Sequence, residues 1–261
     1  MYSILEHYLS TNHILMIGMI VTFILTFFLL EHPFSFLPSD QGRAFAVNGS
    51  LSKGKLRGVG FIFVLCFLIS SVLFLPIDVE YVIYAILLFA MMISGYLDDA
   101  SKTPWNEYKK GLIDLVISVV AVLTYMNFNS TTICFGADEI VIPKALFLIL
   151  GVILIWVSVN VTNCTDGVDG LCASLCSVTL LAFGVLFAPI LQKYAMANFL
   201  FLSVLFAYLY FNSSPSSMLM GDAGSRALGF YIAVIALKST HPFIYILLAA
   251  VMIVDLSLIH I

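Results

Sequence analysis

Apolar runs long enough to cross a bilayer recur along this chain, each broken by a short polar segment rich in Asp, Asn, Gly, Lys or Arg. About 20 apolar residues span the hydrocarbon core as a helix, and no run alternates with the two-residue period of a barrel strand. The pattern predicts spans at about 14–31, 59–76, 81–97, 111–127, 142–160, 170–189, 195–211, 224–238 and 242–258. This is an all-α polytopic membrane protein of about nine transmembrane helices, in a single domain over 1–261 with no internal repeat. The first run follows Glu6 and His7 rather than a basic stretch, and no small-residue cleavage site comes after it. It reads as a retained helix, not a signal peptide.

The connections then fall alternately on two faces. One face collects 32–58, 98–110, 160–170, 212–223 and whatever follows the last span; the other collects the N-terminus, 77–80, 128–141, 190–194 and 239–241. The first carries Arg43, Lys53, Lys55, Arg57, Lys102, Lys109, Lys110 and Arg226, whereas the second has Lys144, Lys193 and Lys238. That bias predicts a cytoplasmic first face and an N-terminus outside. The three densest polar clusters, 95–110, 160–170 and 212–226, all follow odd-numbered spans. They are expected to meet on the cytoplasmic face as one composite site.

Composition agrees with the pattern. The chain is 62% hydrophobic and 10% charged, with a mean hydropathy of +1.09, where a soluble domain carries about 25% charged residues. A soluble globular protein is excluded, the lipid bilayer is the expected surrounding, and no nucleic-acid partner is expected. The five cysteines, Cys66, Cys134, Cys164, Cys172 and Cys176, form no CxxC pair, so they read as small core residues rather than metal or redox ligands.

The candidate chemistry lies in the polar clusters. Asn160–Ala173 packs two Asn, two Asp and two Thr between apolar runs, and a carboxylate at mid-bilayer costs roughly 2.5–3.5 kcal/mol on insertion scales. The stretch must lie at a water-accessible edge or hold a cation. Gly167 and Gly170 allow a sharp turn, and Asn and Asp supply the oxygen ligands that Mg²⁺ prefers. If helix persists through it, Asn160 shares a face with Asn163 and Asp166 with Asp169. The plainer reading is an Asx-rich turn with Asp169 capping the next helix. Asp98 and Asp99 repel each other, so the pair needs a cation, the nearby Lys102, Lys109 and Lys110, or a proton on one carboxylate; a solvated helix end is the plainer alternative. In Met220-Gly221-Asp222-Ala223-Gly224-Ser225-Arg226, a turn opening a helix offers N–H groups beside a carboxylate, which suits a phosphate held through Mg²⁺. Asp222 or Ser225 could instead be an ordinary cap. The basic loop 39–58, with Lys53, Lys55 and Arg57, can hold anionic lipid or a diphosphate, or simply set topology. Carboxylates, lysines and a membrane together suggest phosphoryl transfer to a lipid acceptor. No Walker loop, HExxH or GxSxG is present.

Gly95-Tyr96-Leu97-Asp98-Asp99, the stretch Asn160-Val161-Thr162-Asn163-Cys164-Thr165-Asp166-Gly167-Val168-Asp169-Gly170-Leu171, and Phe211-Asn212 with Met220 to Ser225 resemble the hallmarks of the polyprenyl-phosphate N-acetylhexosamine-1-phosphate transferases. They occur in that family's order and cover most of the chain. Thr165 and the Ser52-Lys53-Gly54 loop resemble the muramoyl-pentapeptide branch; the sister N-acetylglucosamine branch usually has an apolar residue at the Thr165 position. The resemblance implies transfer of phospho-N-acetylmuramoyl-pentapeptide from UDP-N-acetylmuramoyl-pentapeptide to undecaprenyl phosphate with Mg²⁺, giving lipid I and UMP at the bacterial cytoplasmic membrane. It further implies that Asp98 acts as base or phosphate-activating carboxylate beside Asp99, and that Asp222 is both catalytic and a metal ligand. Asn163 and Asp166 would line the diphosphate site, Asp169 and Lys53 the uridine, and Lys110 would neutralise phosphate. Asn160, Asn212 and Gly221 complete the substrate-binding set, and a homodimer is left open.

The chain departs from the family at Leu219, where an aromatic is common, at Leu51, where His is frequent, and at Leu56 and Val59. The family also continues through a His-rich loop to a tenth helix, so the chain is expected to be incomplete beyond Asp255. Two further readings stand beside the main one: a UDP-N-acetylglucosamine transferase acting on polyprenyl phosphate, and a cation-coupled transporter. A transporter would place its carboxylates near the bilayer midplane rather than at one face. A CDP-alcohol phosphotransferase lacks its Ala-Arg after Asp-Gly here.

Overall fold

The computed structural model describes residues 1–254 apart from 33, 41–52, 102, 104 and 137; Arg43, Leu51, Ser52, Lys102 and everything from Asp255 onward lie outside the described residues. In chain order the elements are α1 (Tyr2–Leu5), α2 (Thr11–Glu31), α3 (Gly60–Phe74), α4 (Val79–Asp99), α5 (Glu107–Phe128), the hairpin β1 (Thr132–Phe135) and β2 (Asp138–Val141), α6 (Lys144–Thr165), α7 (Leu171–Leu186), α8 (Ala188–Leu191), α9 (Lys193–Asn212), α10 (Gly221–Lys238) and α11 (Pro242–Leu248). A helix stands at each expected span, but the helices are unequal. Among the described residues five, α2, α4, α5, α6 and α9, are long and apolar enough to cross a membrane, while α3 and α7 are shorter. α10 carries Asp222, Arg226 and Lys238, and α11 is only seven residues.

α10 is the axis of the molecule. Every residue from Gly221 to Leu237 is buried, with α4 and α6 packed along it most extensively and α3, α7 and α11 completing the wall. A second centre forms at α9, enclosed by α2, α3 and α7. Phe67 of α3 stacks on Phe201 of α9 with centroids 4.2 Å apart, and Tyr231 of α10 meets both rings. Aromatic pairs of this kind add about 0.5–1.5 kcal/mol beyond their buried area.

Large apolar residues also cover the outside of the bundle. α2 exposes Met16, Ile20, Ile24 and Phe28 but buries Ile14, Gly18, Thr22, Thr26 and Leu30 at four-residue intervals. Lipid is as apolar as leucine, so helices gain nothing by hiding leucine from it and meet instead through small and weakly polar residues.

The helix starts explain the placement of the loops. Asp78 accepts from Tyr81 N at 2.9 Å and Asn106 from Tyr108 N at 3.0 Å, capping α4 and α5. The connection 128–141 folds as a hairpin, which the sequence pattern did not anticipate, and Cys134 N donates to Thr240 O at 2.8 Å. At that end Lys238 donates to both oxygens of Glu80 and to Asn129 Oδ1, and Lys193 pairs with Asp78.

Candidate active site

The other end of the bundle assembles the polar clusters around the first turn of α10. α4 can approach this turn because Gly95 has no side chain: a β-carbon there would lie 2.3 Å from Asp222 O. The close approach delivers Asp99 to the helix N-terminus, where free N–H groups and the dipole attract anions. Asp99 Oδ1 accepts from Asp222 N and Oδ2 from Ala223 N, both at 3.1 Å. Gly221 makes the turn with φ +66°. Arg57 Nε donates to Asp99 Oδ1 at 2.8 Å, and its terminal nitrogens face Asp222 Oδ1 at 3.4 Å and Asp40 Oδ1 at 3.5 Å. Burial works against the Arg57 charge, but Asp99 and Asp222 outweigh it and hold its pKa above the ordinary value. Both oxygens of Asp99 are therefore engaged within the chain.

Asp98 faces the other way. Trp105 N donates to its Oδ1 at 2.6 Å, and Lys110 Nζ lies 2.6 Å from its Oδ2. The same ammonium lies 3.2 Å from Asp222 Oδ2. Lys110 thus bridges two carboxylates from segments far apart in sequence. Asp98 is 6% and Asp222 7% exposed, so the solvated helix end considered for Asp98 and Asp99 is not what forms. Nor is Asp222 or Ser225 a side-chain cap of α10.

A second group ties the neighbouring loops. Asp169 accepts from Ser216 N at 2.9 Å and Ser216 Oγ at 2.7 Å, while Lys55 donates to Ser216 Oγ at 2.8 Å and lies 3.8 Å from Asp169 Oδ2. Partial burial works to raise the Asp169 pKa, but the two bonds from Ser216 and the Lys55 charge prevail and hold it below the usual carboxylate value. Asp169 does not cap α7, whose N-cap is Gly170 with no side-chain cap. Asn212 fixes that start: its Oδ1 accepts from Gly170 N at 3.0 Å, and its Nδ2 donates to Met218 O at 2.9 Å.

The Asn160–Gly170 stretch divides differently from the shared faces expected of it. α6 continues to Thr165, past the expected end at 160. Asn163 donates to Ser225 Oγ at 3.0 Å and lies beside Asp222. Asn160 is exposed and bonds back to Trp156 O of its own helix at 2.7 Å. Helix ends before Asp166, which is half-buried at the C-cap, so Asp166 and Asp169 do not share a helical face. Lys53 is exposed on the turn ahead of Lys55. Asp98, Asp99, Lys110, Asn163, Gly221 and Asp222 come together; Asp169 and Asn212 form the adjoining tie; Lys53 and Asn160 join neither. Sequence reasoning did not single out Trp105, Ser216 or the role of Arg57, whose signal was a cation immediately ahead of a span. Arg226 was counted as a loop cation, whereas it is 2% exposed and paired with Asp114 at 2.5 Å.

Asp98, Asp99 and Asp222 meet the cations Arg57 and Lys110, which leaves this group net anionic. A diphosphate could approach only with further positive charge. Asp98 and Asp222 offer hard oxygen donors across Lys110, and Mg²⁺ commonly uses one or two carboxylates with substrate phosphates supplying the rest. The donor set therefore fits a divalent cation. Among the described residues no three His, Cys, Asp or Glu side chains close into a complete metal site.

Residues 81–240, which run from α4 through α10 and contain both halves of the Asp98–Lys110–Asp222 arrangement, match the family model described as glycosyl transferase family 4. The chain belongs to that family. It is similar to the phospho-N-acetylmuramoyl-pentapeptide-transferase of Treponema pallidum (strain Nichols), at 34% identity over 92% of this chain and 72% of the relative. It is also similar to the enzyme of the same name from Halalkalibacterium halodurans, at 28% identity over 94% of this chain and 81% of that protein. A third, from Microcystis aeruginosa, is 31% identical over 70% of this chain and 53% of that protein. As a family 4 member with five membrane-length apolar helices among its described residues, the chain is a multi-pass bacterial membrane transferase.

Proposed function

We propose that this family 4 transferase moves phospho-N-acetylmuramoyl-pentapeptide from its UDP carrier to undecaprenyl phosphate, releasing UMP and forming lipid I. The observation that carries the reading is Lys110 bridging Asp98 and Asp222, two buried carboxylates at one end of the helical bundle, in a chain similar over nearly its whole length to transferases of that name. The site end faces the cytoplasm and the membrane is the bacterial inner membrane, a placement supported by the Lys and Arg bias of its loops.

In the reaction an oxygen of the acceptor phosphate attacks the sugar-bound phosphorus of the donor, and the bond from that phosphorus to UMP breaks. Asp222 is the residue that would hold Mg²⁺, which when bound would supply charge neutralisation to the diphosphate. Asp98 takes up or orients the remaining proton of the acceptor phosphate, its own Oδ1 fixed by Trp105 N. Lys110 and Arg57 meet the negative charge that builds on the bridging oxygens, as fixed cations in a largely buried site do most effectively. Asp99 positions the first turn of α10 rather than touching substrate. Asn163 and Asp166 face the diphosphate, and the Asp169–Ser216–Lys55 group holds the loops of the nucleotide end.

The test is UMP release by membranes carrying this chain, supplied with undecaprenyl phosphate and, separately, UDP-N-acetylmuramoyl-pentapeptide or UDP-N-acetylglucosamine. Release with the first donor alone is expected. Release with the second would assign the sister activity, and release with neither would remove the transferase reading of this site.

A further inference from the structure

The charges beneath the cluster repeat it in reverse. Lys110 and Asp114 stand one helical turn apart on α5, as do Asp222 and Arg226 on α10. Lys110 faces Asp222 at 3.2 Å and Asp114 faces Arg226 at 2.5 Å. The two helices therefore run side by side in the same direction, in register over this turn, with the sign of each pair inverted. The upper pair opens partly to solvent at Lys110, while both members of the lower pair are sealed. Elsewhere α5 packs on α4 and α6, and it meets α10 over a much shorter stretch.

Stability does not account for the lower pair. Among the described residues Arg226 Nε and Nη1 have no hydrogen-bond partner although the residue is buried, and an under-satisfied buried ion pair is often no better than apolar residues of the same size. What such a pair does impose is register, because any slide or rotation of α5 would strand two charges separately in the interior. We infer that Asp114 and Arg226 are positioning residues, locking α5 against α10 in the register in which Lys110 bridges Asp98 and Asp222. Neither touches the reacting groups. The activity arm of this inference rests on the transfer reaction proposed above; the distance arm does not.

The test compares the full chain with Asp114→Leu/Arg226→Leu, which removes both charges together and so strands neither. Spin labels introduced at the exposed Tyr108 and Ser217 read the separation of the α5 and α10 starts, through a chemistry that leaves the five native cysteines in place. The double variant is expected to give a shifted or broadened distance distribution. Its turnover at saturating substrate should fall by up to about a hundredfold, as ångström-scale misplacement of a catalytic group can, with the donor KM unchanged. If it fails to insert, Asp114→Asn/Arg226→Gln keeps both side chains polar and drops the charge for the same two readings. An unchanged distribution would overturn the inference, as would a shifted one with wild-type turnover. A wild-type chain that releases no UMP would instead count against the proposed reaction, and the distance arm would still decide the register.

Discussion

Asp99 receives its backbone hydrogen bonds from the turn that Gly221 opens, and that turn has no room for a side chain: a β-carbon on Gly221 would stand 2.3 Å from Asp99 Oδ2. The left-handed φ adds a backbone penalty of about 1–2 kcal/mol for any other residue. Gly221→Ala is therefore expected to lower the unfolding temperature in detergent and to cut turnover together, since the displaced carboxylate also holds Arg57. Wild-type turnover in a correctly inserted Gly221→Ala protein would show that the Asp99 anchor is dispensable.

Asp98 and Asp222 share one ammonium but have separate tasks, so removing either should stop the reaction. Asp98→Asn and Asp222→Asn are each expected to lower UMP release by about a hundredfold or more, the scale of losing one preorganised charge at a transition state. EDTA should abolish release by the wild type, and added Mg²⁺ should restore it. Near-normal turnover in either variant would take that residue out of the mechanism.

The Asp169 tie makes a prediction about acid. Its folded pKa lies below the ordinary 3.8, so its contribution to stability is fully present above that value and is lost as pH falls through the lower, folded one. Thermal stability of the wild type measured downward from pH 7 should hold this contribution until below pH 4. Asp169→Asn should start lower at neutral pH and lose less on acidification. Parallel curves for the two proteins would assign the acid sensitivity elsewhere.

At the far end, Glu80 and Lys238 are 8% and 12% exposed at their side chains and share Asn129. Glu80→Gln leaves an uncompensated ammonium, and breaking a buried pair in this way costs about 3–5 kcal/mol. The melting temperature should fall sharply while turnover per folded molecule stays the same. Glu80→Gln/Lys238→Met should recover most of the loss; if it melts as low as the single variant, packing and not charge explains the site.

The meeting of the three polar segments was legible because it needs only the alternation of spans, which carries every second connection to the same end. Which side chain pairs with which was not, because that depends on helix rotation. Lys109 and Lys110 are equivalent in composition, yet the cap at Asn106 sets the phase of α5 so that Lys109 stacks over Trp105 at 3.3 Å and Lys110 reaches the aspartates. Asn160 and Asn163 are separated in the same way, on a helix that is apolar all round and so gives no sign of which side is buried. Arg226 was misplaced because a count of loop cations cannot tell a loop from the second turn of an interior helix. Nor could the pattern show that the nine runs differ in kind: α10 is wholly buried from Gly221 to Leu237, and its charged residues pair with Arg57, Lys110, Asp114 and Glu80.

The central position of α10 also fixes an order of events during synthesis. Asp114 on α5 is made 112 residues before its partner Arg226, and Asp98 and Asp99 likewise precede the helix that receives them. A nascent chain that has reached only the end of α9 holds these carboxylates at the membrane with Lys110 and Arg57 as their nearby opposite charges. Until α10 is made, Asp114 has no Arg226 to meet and Asp99 no N–H groups of Asp222 and Ala223 to receive, so the site cannot be complete before that helix is.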